Sequence, residues 1–300
     1  MVPPVIAGVD GSAESLAAAE WAAREAVRRG RPLRLLHARN WRPRPDGGDP
    51  AGAAQRHLAR RVLREAEDRI RPACPGLRVE EEQTEGPATA ALLKAAQEAD
   101  LLVLGSRGLS GFTGFLVGSV ALGVVARSET PVVLVRAGED AADEHLPDDD
   151  GGPSTRTGYR DVLLGVDLGD ACDEVIEFAF EAARSRAARL RVVHAWQQPS
   201  PIGLGPAETG LLGGVQQAAE WLGFLTAVLQ VWREKYPDVE VVETVTEGRA
   251  QSVLVRAASG ASLLVVGRHA AERPTGPRTG PVAHAAIHHV GCPVAVVPHF

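Results

Sequence analysis

A chain of 300 residues that is 45% hydrophobic and 23% charged has ordinary globular composition, and its length predicts two domains of roughly 150 residues each. A net charge of −6, with arginines interleaved among acids, argues against a nucleic-acid partner, since affinity for a phosphate backbone comes from clustered cations. Cys74, Cys172 and Cys292 are odd in number and far apart, without disulfide-framework or metal-ligand spacing, and the apolar start lacks a basic leader region; a cytoplasmic protein without membrane contact is the expectation.

In chain order, short apolar runs alternate with Ala-rich helical stretches, the pattern of βαβ units and a parallel sheet. Strands are predicted at Val5–Val9, Leu33–His37, Leu77–Thr84, Leu101–Gly105 and Val132–Val135, and helices at Ser12–Arg29, His57–Ile70, Pro87–Ala99 and Ser119–Ala126. Residues 108–126 carry no charge, but five glycines dilute them, so a turn and a buried helix are expected there rather than a membrane span. The stretch 138–158, acidic and without periodicity, reads as a flexible linker between a first domain (1–137) and a second (159–300). In the second half the pattern resumes at Asp161, with a Gly/Pro-rich loop at Gln197–Gly214 and an amphipathic helix at Trp221–Tyr236.

The second half restates the first. Val5-Ile-Ala-Gly-Val-Asp10 returns as Val162-Leu-Leu-Gly-Val-Asp167, and Leu36-His-Ala38 as Val193-His-Ala195. Leu102-Val-Leu-Gly-Ser-Arg107 returns as Leu264-Val-Val-Gly-Arg-His269, and Thr130-Pro-Val132 as Cys292-Pro-Val294. Four landmarks in one order identify a tandem duplication, and each copy predicts a doubly wound sandwich whose ligand cleft lies outside the carboxyl ends of its strands.

Where the fourth strand ends, the first copy reads Gly105-Ser-Arg-Gly108, nine further residues, then Gly118-Ser119-Val120. Glycines at a strand end permit positive φ and close approach of backbone to a ligand. Gly118-Ser119 opens a helix whose free amides favour phosphate, Ser119 adds a hydroxyl, and Arg107 adds a charged donor fork. Asp10, at the end of the first strand, is placed to accept hydrogen bonds from an adenosine group. With the I-x-G-V-D-G-S strand end before it and P-V-V-L-V after it, this G-x2-G-x9-G-S pattern resembles the universal stress protein family over both halves. The resemblance implies two tandem Rossmann-like α/β sandwiches of the adenine nucleotide alpha hydrolase type, each with a five-stranded, mostly parallel sheet. It also implies ATP, with magnesium as a candidate companion, held by Asp10, Ala38 (through its backbone), Gly105, Arg107, Gly108, Gly118, Ser119 and Val120, with the loop between Gly108 and Gly118 closing over the triphosphate. The last strands of the halves would pair as an internal pseudo-dimer; an unidentified protein partner and a homodimer of chains are further candidates.

The second copy keeps Gly267 and Gly280 at the same separation but has Ala270 and Pro281 in place of the second glycine and the serine. Pro281 removes an amide donor and a hydroxyl. Asp167, Gly267, Arg268, Gly280 and Val282 are its candidate ligand residues, with Arg268, Arg273 and Arg278 as electrostatic compensation. His284, His288 and the adjacent His289 lack the Glu and the third ligand of an H-E-x-x-H site, and His37 and His194 read as packed beside the clefts. Lys94 and Lys235 are the only lysines and neither lies in a glycine loop; with no G-x-S-x-G elbow or Cys/His pairing in the sequence, an enzyme is not expected. An ATP-binding regulator of a stress response or dormancy is the first reading. A nucleotide-free interaction scaffold and a slow ATPase are the alternatives.

Overall fold

The computed structural model describes residues 2–39, 50–106, 117–197, 211–270 and 279–300. The first half runs β1 (Val5–Gly8), α1 (Ala13–Arg29), β2 (Leu33–Arg39), α2 (Pro50–Ile70), β3 (Val79–Glu85), α3 (Ala88–Ala96), β4 (Leu101–Ser106), α4 (Ser119–Val125) and β5 (Val132–Arg136). The second runs β6 (Val162–Gly165), α5 (Asp173–Arg186), β7 (Leu190–Trp196), α6 (Leu211–Lys235), β8 (Val241–Glu247), α7 (Ala250–Ala257), β9 (Leu263–His269), α8 (Pro281–His289) and β10 (Val294–His299). Two elements start earlier than the sequence suggests. Pro50 is tolerated in a first helical turn, and α6 runs through Gly213 and Gly214, which in sequence look like breakers.

All ten strands form one sheet, in the order β3-β2-β1-β4-β5-β10-β9-β6-β7-β8. Pairing is parallel within each half. The halves join through a single antiparallel pair, with Val294 opposite Leu134 and Val296 opposite Val132. The expected pairing of the last strands is therefore present, and it merges two five-stranded sheets into one. Successive residues of each strand face opposite sides. Val5, Ala7, Leu101 and Val103 pack on the side of α1 and α5, whereas Ile6, Leu102 and Leu104 pack with residues of α3 and α4. Because helices cover both faces, the central strands can be apolar throughout, while the edge strands β3 and β8 carry Glu80, Glu81, Glu82 and Glu243.

The seam is also ionic. Glu25 of α1 and Arg186 of α5, both with fully buried side chains, meet at 2.7 Å, and Arg29 donates to the same carboxylate at 2.7 Å. Arg186 is the repeat equivalent of Arg29, so one carboxylate serves both copies of the same arginine. Burial pushes Glu25 up, but Arg186, Arg29 and Arg28 together overcome it and hold the carboxyl well below the ordinary carboxylate range. Two further arginines cross the seam to helix ends. Arg136 donates to the carbonyl of Val290 at 2.6 Å, and Arg268 donates to that of Ser128, the repeat equivalent of Val290.

The connection at 138–158 departs from the flexible linker expected. It forms a short 3-10 turn at Ala141–Glu144, capped reciprocally by Asp140 and Asp143, and His145 bridges to Tyr159. The anchor is Glu144, fully buried, whose carboxylate binds Arg24 at 2.7 Å and Arg28 beside it. Two buried charge contacts to α1 fix a segment that composition alone reads as solvated.

Candidate functional site

In each half the strand order reverses beside the first strand, and a cleft opens there at the carboxyl ends. The last β1 pairs are Gly8 with Leu36 and with Leu104, so Ala38 and Gly105 project past the end of β1 on its two sides. Between them lie Asp10, Ser12, Glu14, Ser15, Gly118, Ser119 and Val120, around a cavity of about 200 Å³. Six of the eight expected residues of the first site thus line one cleft; Arg107 and Gly108 lie outside the described residues. Asp10 accepts hydrogen bonds from the Ser12 amide at 3.0 Å and hydroxyl at 2.6 Å, and Ser12 in turn caps α1 by accepting from the Ser15 amide. Asp10 is therefore both a wall of the cleft and the brace of a helix cap.

The glycines divide their roles differently from the sequence expectation. Gly105 does not adopt positive φ; a Cβ there would lie 2.5 Å from the Glu14 carbonyl carbon and 2.7 Å from the Ser15 nitrogen. The start of α1 occupies the space that glycine vacates, so close packing within the chain already requires it. Gly118 has φ −61° and a Cβ there would meet nothing within 4 Å. Among the described residues no neighbour demands glycine at 118, and the space beside it lies on the cleft. No side chain caps α4, whose first residue is Ser119. Among the described residues the lining carries Asp10 and Glu14 and no cation.

The second cleft, about 370 Å³, is lined by Asp167, Gly267, Arg268, Gly280, Pro281 and Val282, which brings together all five expected residues, and by Asp170, Cys172, His194 and His299. Asp167 accepts from the Gly169 amide at 3.0 Å. Gly169 stands where the first half has Ser12, so no side chain caps the helix there, and α5 begins at Asp173, whereas the equivalent of Ala13 is Asp170. Unwinding that turn makes Cys172 the cap residue and sets its Sγ 2.9 Å from His299 Nδ1. A Cβ on Gly267 would meet His299 at 3.0 Å, so here glycine makes room for an imidazole. The compensation expected of Arg268 is not where its charge lies: the guanidinium turns across the seam to the Ser128 and Ala126 carbonyls. Arg273 and Arg278 lie outside the described residues.

The Cys172–His299 contact corrects the sequence reading, which found no Cys/His pairing. One partner sits 127 residues from the other, and spacing cannot reveal it. Burial, then Asp170 and Glu174, push the Cys172 thiol up to about 11. His37 and His194 donate from Nδ1 to the carbonyls of Val9 and Val166, at 2.8 Å and 3.1 Å, tying the end of the first strand to the second in each half. A concavity larger than either cleft, about 1010 Å³, lies at the opposite end of the first half around Pro4, Arg31 and Leu77, where Arg34 pairs with Glu98 and Arg78 with Glu80. Its charges are paired with one another rather than converging on a ligand.

A duplicated, doubly wound α/β protein with a cleft at each switch point, its halves joined edge to edge, is the class defined by this geometry. The model of the universal stress protein family matches residues 1–136 and 158–298, and the chain belongs to that family. It is 32% identical to universal stress protein Rv2005c of Mycobacterium tuberculosis over 97% of this chain and 96% of that one. A universal stress protein of Mycolicibacterium smegmatis is 30% identical over 98% of this chain and 96% of its own. The crystal structure of a universal stress protein from Archaeoglobus fulgidus shares the fold, with a TM-score of 0.68 at 18% identity over 98% of each chain. Among the described residues no helix is long and apolar enough to cross a membrane.

Proposed function

We propose that the protein binds ATP in the first cleft and acts as a nucleotide-dependent regulator rather than as an enzyme. The carrying observation is the convergence of Asp10, Ala38, Gly105, Gly118, Ser119 and Val120 on one cleft at the switch point, with open space beside Gly118. Asp10 and the backbone at Ala38 would hold the nucleoside, and the amides and hydroxyl at Ser119 would face phosphate, with Arg107 supplying charge. Because the described lining holds two carboxylates and no cation, a magnesium ion would offset their repulsion of a triphosphate. ATP occupancy shifts the protein between states only to the extent that it binds one of them better, and that differential affinity would be the signal. The described hydroxyl–carboxylate pair of this cleft, Ser12 and Asp10, is engaged in capping α1, which favours ligand as signal over ligand as substrate. Cytoplasmic residence is part of the same proposal.

Mass spectrometry of nucleotide released from freshly purified, denatured protein, with calorimetric titration of ATP and magnesium into the stripped protein, tests this. About one ATP per chain, retained for hours without turnover, is expected. No released nucleotide and no affinity below millimolar would replace the proposal with a nucleotide-free scaffold, and multiple turnovers would replace it with an ATPase.

A further inference from the structure

We propose that Asp170, Cys172 and His299 form a site for a soft divalent cation of the zinc class on the rim of the second cleft, with one coordination position open toward it. The three side chains present one sulfur, one imidazole nitrogen and one carboxylate, all within 4.8 Å of one another. Bonds of about 2.0–2.3 Å to a tetrahedral zinc ion place its ligand atoms roughly 3.3–3.8 Å apart. The observed separations bracket that range: Sγ to Nδ1 is 2.9 Å, Sγ to Asp170 Oδ1 3.8 Å, and Nδ1 to the other carboxylate oxygen, Oδ2, 4.0 Å. Only the sulfur–imidazole edge must widen, by a rotation of a half-buried cysteine outside any helical turn.

Charge points the same way. Asp170, Asp173 and Glu174 surround the sulfur, so a bare thiolate would be repelled where a dication is attracted. That argues against the other use of a Cys/His contact, an activated nucleophile, which needs an electropositive setting. The backbone is arranged for the cluster at two places. Gly267 leaves the space in which the His299 ring sits, and the missing helix cap at Gly169 unwinds the turn that would otherwise carry Cys172 into the helix. The first half has Ser15 and Ala137 at the corresponding positions, and among its described residues there is no such set. Three protein ligands with a vacant fourth position are the pattern of zinc sites that bind an exogenous oxygen. The same cleft is lined by Pro281, which has removed an amide donor from it.

Cobalt(II), added to the reduced full-length protein, is the probe, because a thiolate ligand gives it a charge-transfer band. The band should saturate at one equivalent per chain and be displaced by zinc. Cys172→Ser should abolish it and His299→Ala should weaken binding at least about 100-fold, more than loss of an outer-shell partner usually costs, while Cys74→Ser and Cys292→Ser leave it unchanged. X-ray absorption of the zinc-loaded native protein should show one sulfur among nitrogen and oxygen neighbours, a readout independent of any variant. Absence of the band, its persistence in Cys172→Ser, or a zinc shell without sulfur would overturn the site and leave the contact as an S–H···N hydrogen bond.

Discussion

The two clefts share strand order, a Gly-Val-Asp strand end and a glycine near the end of the fourth strand, yet the same glycine serves a helix start in one and an imidazole in the other. Duplication carried over the backbone path. What fills the space beside it depends on single caps: Ser12 winds the first turn of α1, and its absence at Gly169 leaves Cys172 free to turn outward. Homologous position therefore predicts geometry better than it predicts chemistry.

The largest effect is expected at the seam, where Glu25 of the first half has Ala182 as its repeat equivalent. Glu25→Ala leaves Arg186 buried without its ion-pair partner and should cost about 3–5 kcal/mol in denaturant unfolding. The folded pKa of Glu25 is depressed, so its stabilisation is present above the ordinary carboxylate range and is lost progressively as pH falls from that range toward the depressed value. Chemical denaturation across that range should show an acid limb that Glu25→Gln flattens; an unchanged limb would remove Glu25 as its source.

Making the first cleft resemble the second comes next. Ser119→Pro removes an amide and a hydroxyl, and since hydrogen bonds to charged groups contribute about 1.5–3 kcal/mol, calorimetry should show ATP affinity reduced roughly 10–100-fold with folding intact. Equal affinity in the variant would mean that the nucleotide does not use that helix start. The two equivalent glycines should then separate by thermal melts. Gly105→Ala drives a Cβ into backbone and should cost about 1–3 kcal/mol, while Gly267→Ala presses on a movable ring and should cost less. Smallest is Ser12→Ala, a lost cap worth about 1 kcal/mol; hydrogen exchange should show the first turn of α1 opening as the corresponding turn of α5 already has.

Much of this was legible in sequence. Short continuous apolar runs made the central strands readable, and the repeated Val-x-x-Gly-Val-Asp strand ends located both clefts, because those signals are local. Three things were not. The tie between Glu144 and α1 joins residues 120 apart, and acidic composition argues for solvent where two arginines decide otherwise. The turn of Arg268 toward Ser128 depends on a neighbour brought in only by the antiparallel seam. Cys172 meets His299 only after a helix turn fails to form, a consequence of Gly169 that no motif records.

The antiparallel pair of β5 and β10 belongs to one covalent chain, so the association of the halves is a unimolecular event governed by an effective concentration set by the connecting segment. Dilution cannot separate them, and the two clefts stay in fixed one-to-one stoichiometry whatever the abundance of the protein. Because the strands run in opposite senses across that pair, the clefts open toward opposite ends of the sheet, and among the described residues the strands and arginines between them link one cleft to the other.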